Sequence, residues 1–299
     1  MPRYLLINAD DFGIGPATTQ GILQLAEKGL ISSSVLMANS PHAENAIAAW
    51  NAAGRKLELG WHPALTIDAP VLPASQVPSL VDTNGRFFPL GKFLKKHFLH
   101  QINHDEVRAE LSAQYERCCE LLGSPPLVVN THHHIQIFSP IGGILKDIVT
   151  RDGHLPYLRL IREPWPMILK VPGARLKRLF LNWHGRAAAR RQRRRGLVGN
   201  DWLIGVTNPH CVHDSDFFIR LIRSVSGKVV ELTVHPGLRD PSLIGRDCTE
   251  SDGMLDRRVR ELELLSDPRF TDACKQAGFE MIRPDQLIAM YHGENAHAA

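Results

Sequence analysis

The sequence predicts an α/β fold, a deformed (β/α) barrel of about seven to eight parallel strands. Short apolar runs alternate with segments of helical periodicity along most of the chain, which is typical of a mainly parallel sheet covered by helices. With 299 residues, 43% of them hydrophobic, the chain can bury a core of this size. Polar side chains follow the apolar runs, as expected where barrel strands end at a functional site.

The first predicted strand contains the apolar run 4–7 and ends at Asp10 and Asp11, before Phe12-Gly13. Adjacent side chains of a strand point to opposite faces, so both carboxylates reach one site only where the backbone leaves the sheet. A solvated turn or a helix N-cap is the ordinary alternative for such a pair. The residues that follow the other predicted strands are needed to choose between these two interpretations.

Strands and helices alternate after this start. Further strands are predicted at 31–37, 57–61, from 127 onwards, and at 156–161, 201–206, 229–234 and 279–282, and helices at 16–28, 41–53, 105–122, 141–151, 215–225, 254–265 and 270–277. A proline-rich segment at about 63–98 and a basic segment at about 166–200 interrupt the rhythm. We therefore expect a single barrel domain over residues 1–299 with two insertions.

Polar residues follow five of the predicted strands. They are Asp10-Asp11, His62, His132 to His134, Arg162 and His235. Because parallel barrel strands all end on one face, these side chains should converge. One histidine in such a place is more often a hydrogen-bonded residue than a ligand, but the coincidence at five strand ends favours a site.

Aspartate and histidine suit a divalent ion such as Zn²⁺, and three protein ligands leave positions for water and substrate. A second carboxylate that does not bind the ion can take the proton of a bound water. Asp10 beside Asp11 fits this division. An acid is also needed to protonate a departing amine, and His235 is the candidate.

The motifs together resemble the YdjC-like carbohydrate deacetylases and, in mechanism, the wider NodB-type polysaccharide deacetylases. The resemblance rests on Asn8 to Gly13, Gly60-Trp61-His62, the triple histidine, Leu158 to Leu160, Arg162-Glu163-Pro164 and His235-Pro236-Gly237. It covers about residues 4–285, and it includes a branch of the family associated with hopanoid biosynthesis. It implies a barrel that hydrolyses N-acetyl groups of amino sugars with one Mg²⁺ or Zn²⁺ ion, with Asp11 and His62 as the first two ligands.

The third ligand depends on the triple histidine. Members of the family usually show Asp-(Ser or Gly)-His-x-His-x-His, where this chain has residues 130–136. Alternation along a strand would place His132 and His134 on one face and His133 on the other. We predict His132 as the ligand and His134 as a substrate contact or a supporting residue, and the choice between these two histidines stays open.

Two further residues have paired interpretations. Arg162 is expected to hold Asp10 or a substrate oxygen, although an arginine after a strand is as often in a surface ion pair. Glu231 lies four residues before His235 on the same strand face and is expected to orient it. A carboxylate inside the barrel paired with an arginine is equally plausible for Glu231.

The formal net charge of +4 and the isoelectric point of about 8.9 are a mild basic excess, which by itself gives no reason to expect a nucleic-acid partner. Cations are concentrated at 175–195, where they interleave with leucine, phenylalanine and tryptophan. A basic amphipathic helix of this kind can rest on an anionic membrane surface, although a solvated helix covering the barrel is the more ordinary interpretation. If the contact exists, the substrate is expected to be a lipid-linked amino sugar.

The short apolar run after Met1-Pro2-Arg3 does not make a signal peptide, and five cysteines without CxxC spacing fit reduced thiols. We expect a cytoplasmic protein, with the inner membrane surface as an alternative, and we leave a homodimer open. Besides deacetylation, the sequence allows a metal-dependent hydrolase or isomerase acting on another sugar or a phosphoester, or a membrane-surface binding protein with a degenerate site.

Overall fold

A computed structural model describes residues 2–296 of the chain. Its strands are β1 (Arg3–Phe12), β2 (Ser33–Leu36), β3 (Glu58–Trp61), β4 (Val128–Val129), β5 (Tyr157–Leu158), β6 (Trp202–Ile204), β7 (Val229–Val234) and β8 (Phe279–Met281). Its α-helices are α1 (Pro16–Glu27), α2 (Ala43–Ala52), α3 (Leu90–Phe98), α4 (His104–Leu122), α5 (Ile141–Val149), α6 (Trp165–Lys170), α7 (Arg175–Arg193), α8 (Phe217–Ser224), α9 (Met254–Ser266), α10 (Pro268–Gln276) and α11 (Pro284–Ala296).

The strands form one parallel sheet in the order β5-β4-β3-β2-β1-β7-β6, and β8 pairs with the first residues of β1. The two ends of this sheet approach each other. The backbone N–H of Leu158 donates to the Val198 carbonyl at 2.9 Å, and that of Leu203 donates to the Arg162 carbonyl at 2.8 Å. The predicted deformed barrel of seven to eight parallel strands is therefore confirmed.

Strand β1 is buried on both faces, which explains its unbroken apolar run. Leu5 and Ile7 belong to the large core between sheet and helices. Leu6 points the other way and joins a smaller cluster with Val35 and Val128. The strand therefore lies at the centre of the molecule, and its carboxyl end carries Asp10 and Asp11 into a protected place.

Both interrupting segments are folded and packed. The proline-rich segment contains α3 and buries Val77, Phe87 and Phe93, and the carboxylate of Glu110 in α4 accepts hydrogen bonds from two of its backbone amides. In the basic segment, the ion pair between Arg178 of α7 and Glu163, just before α6, holds the two helices in place. The sequence pattern predicted neither α3 nor α6. No helix within residues 2–296 has the length and apolar character needed to cross a bilayer.

Candidate active site

A cavity of about 220 Å³ opens at the carboxyl ends of the strands. The acidic and histidine side chains around it at the strand ends are Asp10, Asp11, His62, His132, His133, His134 and His235, and helices α7 and α9 add Lys177 and Arg257. The structure thus brings together the polar residues that follow β1, β3, β4 and β7. Arg162 is not among the residues that line this cavity.

Adjacent carboxylates reach the same cavity because β1 is irregular at its end. The register of its pairing with β2 shifts between Ala9 and Phe12. Asp11 has a φ of 69°, in the left-handed region, which aspartate tolerates better than most residues with a side chain. On a regular strand Asp10 and Asp11 would diverge, so this local distortion creates the pair.

Asp10 is surrounded by donors. Both oxygens accept from the guanidinium of Arg159 at 2.7 Å, in a bidentate pair. Oδ1 also accepts from the amides of Asn8 at 2.7 Å and Asn130 at 3.3 Å, and Oδ2 accepts from the Thr233 hydroxyl at 3.0 Å. Burial alone would raise the pKa of Asp10, but the charge and hydrogen bonds of Arg159 hold it below its ordinary value. Asp10 is therefore an ionised, firmly oriented carboxylate.

Asp11 has a different environment. Its Oδ2 accepts from Arg258 at 2.7 Å. Its Oδ1 faces two imidazole nitrogens, His62 Nε2 at 3.2 Å and His132 Nδ1 at 3.3 Å. Burial would raise the pKa of Asp11, but Arg258 and the two histidines hold it well below its ordinary value. Asp11 Oδ1 and the facing nitrogens of His62 and His132 therefore surround one common position.

The donors around Asp11 Oδ1 suit a divalent cation. His62 Nδ1 lies 3.0 Å from the carbonyl oxygen of Asn130, and since a carbonyl only accepts, Nδ1 carries a proton. In a neutral ring, Nε2 then turns a lone pair towards Asp11 Oδ1. Two lone pairs repel unless the ring gains a second proton or a cation lies between them. Asp11, His62 and His132 offer ligand atoms that all lie within 4.8 Å of one another.

Asp247 and Arg258 contact these candidate ligands. His132 Nε2 faces Asp247 Oδ1 at 3.6 Å, and Arg258 donates to both Asp247 and Asp11, at 2.9 and 2.7 Å. Burial lowers the pKa of His132, but Asp11 and Asp247 outweigh this effect and raise it. A carboxylate beyond a ligating imidazole fixes the orientation of the ring. His132, His133 and Asp247 also lie close enough to form a second set of ligand atoms.

The prediction that the triple histidine continues a strand is wrong. Strand β4 has only two residues, and residues His132–Ile137 form a 3₁₀ turn in which His133 and His134 have φ values of 55° and 59°. Alternation therefore cannot be the reason for choosing among the histidines. His132 is nevertheless the one that faces Asp11, while His133 Nδ1 lies 2.9 Å from the Thr66 hydroxyl. His134 lines the cavity, and burial together with Arg159 lowers its pKa well below its ordinary value.

Arg162 does not hold Asp10. Its guanidinium lies over the ring of Trp202, 4.8 Å from the centroid, and Arg159, three residues earlier, makes the contact with Asp10. The chain leaves β5 after Leu158, so the residue that turns into the barrel is closer to the strand than we predicted.

For Glu231 the second interpretation is confirmed. It is fully buried and accepts hydrogen bonds from Arg159 Nε and from the Tyr157 hydroxyl, both at 2.6 Å. Burial raises the pKa of Glu231 despite the charge of Arg159. Glu231 therefore positions Arg159, which in turn holds Asp10. The expected orientation of His235 by this carboxylate is not what the structure shows.

His235 lies beside Asp10, with its Nε2 at 3.9 Å from Asp10 Oδ2. Its Nδ1 lies 3.3 Å from Arg257 Nη2, and because a guanidinium only donates, Nδ1 accepts. The neutral ring then carries its proton on Nε2, on the Asp10 side. Burial and the charge of Arg257 lower the pKa of His235 to about 3.

Sequence reasoning missed four charged residues of the site: Arg159, Asp247, Arg257 and Arg258. Arg159 had a usable signal, because it is flanked by Leu158 and Leu160 in an apolar strand, where a charge needs a buried partner. The other three belong to a loop and to α9, and they reach the site only through the tertiary fold. Nothing in the local pattern distinguishes them from surface residues.

The geometry describes a (β/α) barrel with a carboxylate and histidine centre at the strand ends. Residues 4–276 match the family model described as YdjC-like protein, so the chain belongs to the YdjC-like family. A carbohydrate deacetylase from Geobacillus stearothermophilus is 29% identical over 283 residues, which are 94% of this chain and 97% of the relative. A chitooligosaccharide deacetylase from Yersinia enterocolitica is 26% identical over 287 residues, covering 94% and 98% of the two chains.

One solved structure is similar over almost the entire chain. It is an Enterococcus faecalis protein named as a candidate cellobiose-phosphate cleavage protein, with a TM-score of 0.74 and 24% identity. The match covers 96% of this chain and 99% of that one. At this identity the likeness shows the fold alone.

Proposed function

We propose that this protein is a metal-dependent deacetylase that hydrolyses the N-acetyl group of an N-acetylated amino sugar and releases acetate. The proposal rests on one observation about two adjacent carboxylates. Asp11 Oδ1 faces a ring nitrogen of His62 and one of His132, while Arg159 holds the neighbouring Asp10 ionised. The carbohydrate deacetylases among the relatives support this substrate class. The sugar belongs to an oligosaccharide or a glycolipid.

Asp11, His62 and His132 would hold one divalent ion, Mg²⁺ or Zn²⁺. When bound, such an ion polarises a carbonyl oxygen and lowers the pKa of water. Asp247 and Arg258 hold the ligand side chains in place, since they contact His132 and Asp11 directly. His134 lines the same cavity and is assigned to substrate contact.

Asp10 is assigned as the general base. Its bidentate pair with Arg159 keeps it ionised, so it can accept the proton of the attacking water. The same pair weakens it as a base, because lowering the pKa of a carboxylate also lowers its proton affinity. Arg159 therefore favours orientation over basicity, and Glu231 holds Arg159 in turn.

His235 is assigned as the proton donor to the departing amine. In the resting site its pKa of about 3 keeps the ring neutral, with a proton on Nε2 that can donate a hydrogen bond to the substrate. Negative charge that develops on the substrate beside the ring raises its pKa. The ring then takes up a second proton, the one that Asp10 accepted from the attacking water, and as an imidazolium it protonates the departing amine.

The proposal extends to the chain as a whole. We propose that residues 1–299 form one catalytic domain and that the protein acts in the cytoplasm. A homodimer remains a prediction from the sequence.

The decisive experiment measures acetate release by the purified protein from free N-acetylglucosamine, chito-oligomers and an N-acetylglucosaminyl lipid. We expect release from at least one substrate, its loss after treatment with a chelator, and its recovery with Zn²⁺ or Mg²⁺. The variant Asp10→Asn tests the proposed general base in the same assay. Its matched control is Asp214→Asn, which alters an exposed ion pair. Absence of acetate from all three substrates, or phosphate release from a sugar phosphate in its place, would contradict the proposal.

A further inference from the structure

The two insertions expose large apolar side chains. We define the apolar face as Phe98 of α3, Trp165 and Leu169 of α6, and Leu176, Phe180 and Trp183 of α7. Leu176 and Trp183 are 83% and 75% exposed, the highest values among the large apolar residues that the structure describes. Single exposed apolar residues are ordinary, but a group on neighbouring elements marks an interaction surface.

Helix geometry and ring contacts connect the α7 and α3 parts of this face. Leu176, Phe180 and Trp183 follow a spacing of four and three residues, so they lie along one side of α7. The opposite side of α7 is buried against the barrel. Phe138 connects α7 to α3, because its ring contacts Phe180 at 6.0 Å and Phe98 at 5.7 Å between centroids.

The segments that form the face are basic, and two acidic residues that pair with them, Asp147 and Asp201, contact Arg195 and Arg193. Residues 164–200 contain ten lysines and arginines and no aspartate or glutamate, and residues 83–104 also lack acidic side chains. Exposed cations on these elements include Lys170 of α6, Arg175 and Arg190 of α7, and Arg194 directly after α7. The face therefore fits an anionic partner.

We propose that the apolar face docks on the surface of an anionic lipid membrane. Tryptophan, phenylalanine and leucine beside lysine and arginine form the side-chain set that inserts at the boundary between head groups and acyl chains. Each nearby cation adds attraction to anionic lipid. A second copy of the chain fits poorly, because pairing this face with itself would bring like charges together.

The face lies close to the mouth of the cavity. Lys177, which lines the cavity, is the neighbour of Leu176 in the first turn of α7. Docking would therefore bring the cavity close to the membrane surface. This inference concerns binding alone and does not depend on the proposed deacetylation.

The test is co-sedimentation of the full chain with phosphatidylcholine vesicles, with and without phosphatidylglycerol. We expect binding to the anionic vesicles, weakened by added salt, and about tenfold weaker binding for the double variant Leu176→Ser/Trp183→Ser, because an interfacial helix binds through its buried apolar area and its charge. Arg190→Gln/Arg194→Gln should also weaken binding. The matched controls are Met281→Ser/Tyr291→Ser, two exposed apolar residues elsewhere, and Arg239→Gln/Arg260→Gln.

Thermal unfolding of each variant confirms that the substituted chains fold. The proposal is overturned if the wild-type chain leaves anionic vesicles unbound, or if the Leu176→Ser/Trp183→Ser variant binds as well as its control. It is also overturned if these substitutions abolish self-association of the wild-type chain in sedimentation velocity while vesicle binding stays unchanged, since a second copy would then be the occupant.

Discussion

Asp10 and Asp11 are neighbours in sequence and share one cavity, yet their surroundings differ. Asp10 accepts five hydrogen bonds, two of them from Arg159, so both of its oxygens are occupied by protein donors. Asp11 accepts from Arg258 through one oxygen and turns the other towards His62 and His132. A carboxylate saturated with donors is poorly suited to bind an ion, whereas one with an oxygen facing two imidazoles is well suited. The environment thus supports the two roles that we propose for them.

Each aspartate has its own buried arginine, and the two arginines come from distant parts of the chain. Arg159 directly follows β5, and Arg258 lies in α9. Both are almost fully buried. A buried ion pair contributes little net stability, but removing one partner is costly because it leaves the other charge uncompensated. The comparison can therefore be tested from the carboxylate side and from the arginine side.

The largest effect is expected for Asp10→Asn. An amide cannot accept the water's proton, and loss of a general base lowers the rate by about 10²–10⁴-fold. The measurement is kcat for acetate release on the best substrate. A variant that keeps more than about a tenth of the wild-type rate would remove Asp10 from the mechanism.

Arg159→Met should destabilise the fold strongly, because it leaves Asp10 and Glu231 buried without their shared partner. We expect the free energy of unfolding to fall by about 3–5 kcal/mol in urea denaturation. Arg162→Met, three residues away and outside the cavity, should cost less than about 1 kcal/mol. Equal losses in the two variants would show that the buried pair has no special weight.

Asp247→Asn tests the support behind Asp11. Asp247 contacts Arg258 and faces His132, so its loss should weaken metal binding by about 10–100-fold while the ligands remain. Isothermal titration of the metal-free protein with Zn²⁺ measures this. Asp256→Asn, which affects an exposed pair near the start of α9, should leave the affinity unchanged. If Asp247→Asn binds Zn²⁺ with normal affinity, Asp247 does not contribute to metal binding, and only the three proposed ligands do.

The effect with the smallest slope, per pH unit, concerns pH. The folded pKa of His235 is about 3, below its ordinary value of 6.5, so between these values the unfolded chain binds a proton that the folded chain does not. Its contribution to stability is therefore present above pH 6.5 and is lost as the pH falls towards 3. In His235→Gln the slope of unfolding free energy against pH should be smaller by about 1 kcal/mol per pH unit over this range. Parallel slopes in the two proteins would contradict the lowered pKa.

How much of this the sequence could predict depends on the regularity of each element. Strands β3 and β7 end as their apolar runs do, and β1 continues past its run to Phe12. Asp10, Asp11, His62 and His235 nevertheless lie around one cavity, as the sequence predicts. The segment after β4 turns through left-handed residues, and no spacing rule indicates that turn in advance. Strand β5 is only two residues long, so the arginine that points into the barrel is Arg159 and not the predicted Arg162.

The central claim is that Asp11 holds the metal and Asp10 does not. The most direct measurement is the metal content of purified Asp11→Asn and Asp10→Asn after loading with Zn²⁺ and removal of free ion, by elemental mass spectrometry. The account predicts one ion per chain in the wild-type protein and in Asp10→Asn, and almost none in Asp11→Asn. Full occupancy in Asp11→Asn, or loss of the ion in Asp10→Asn, would contradict it.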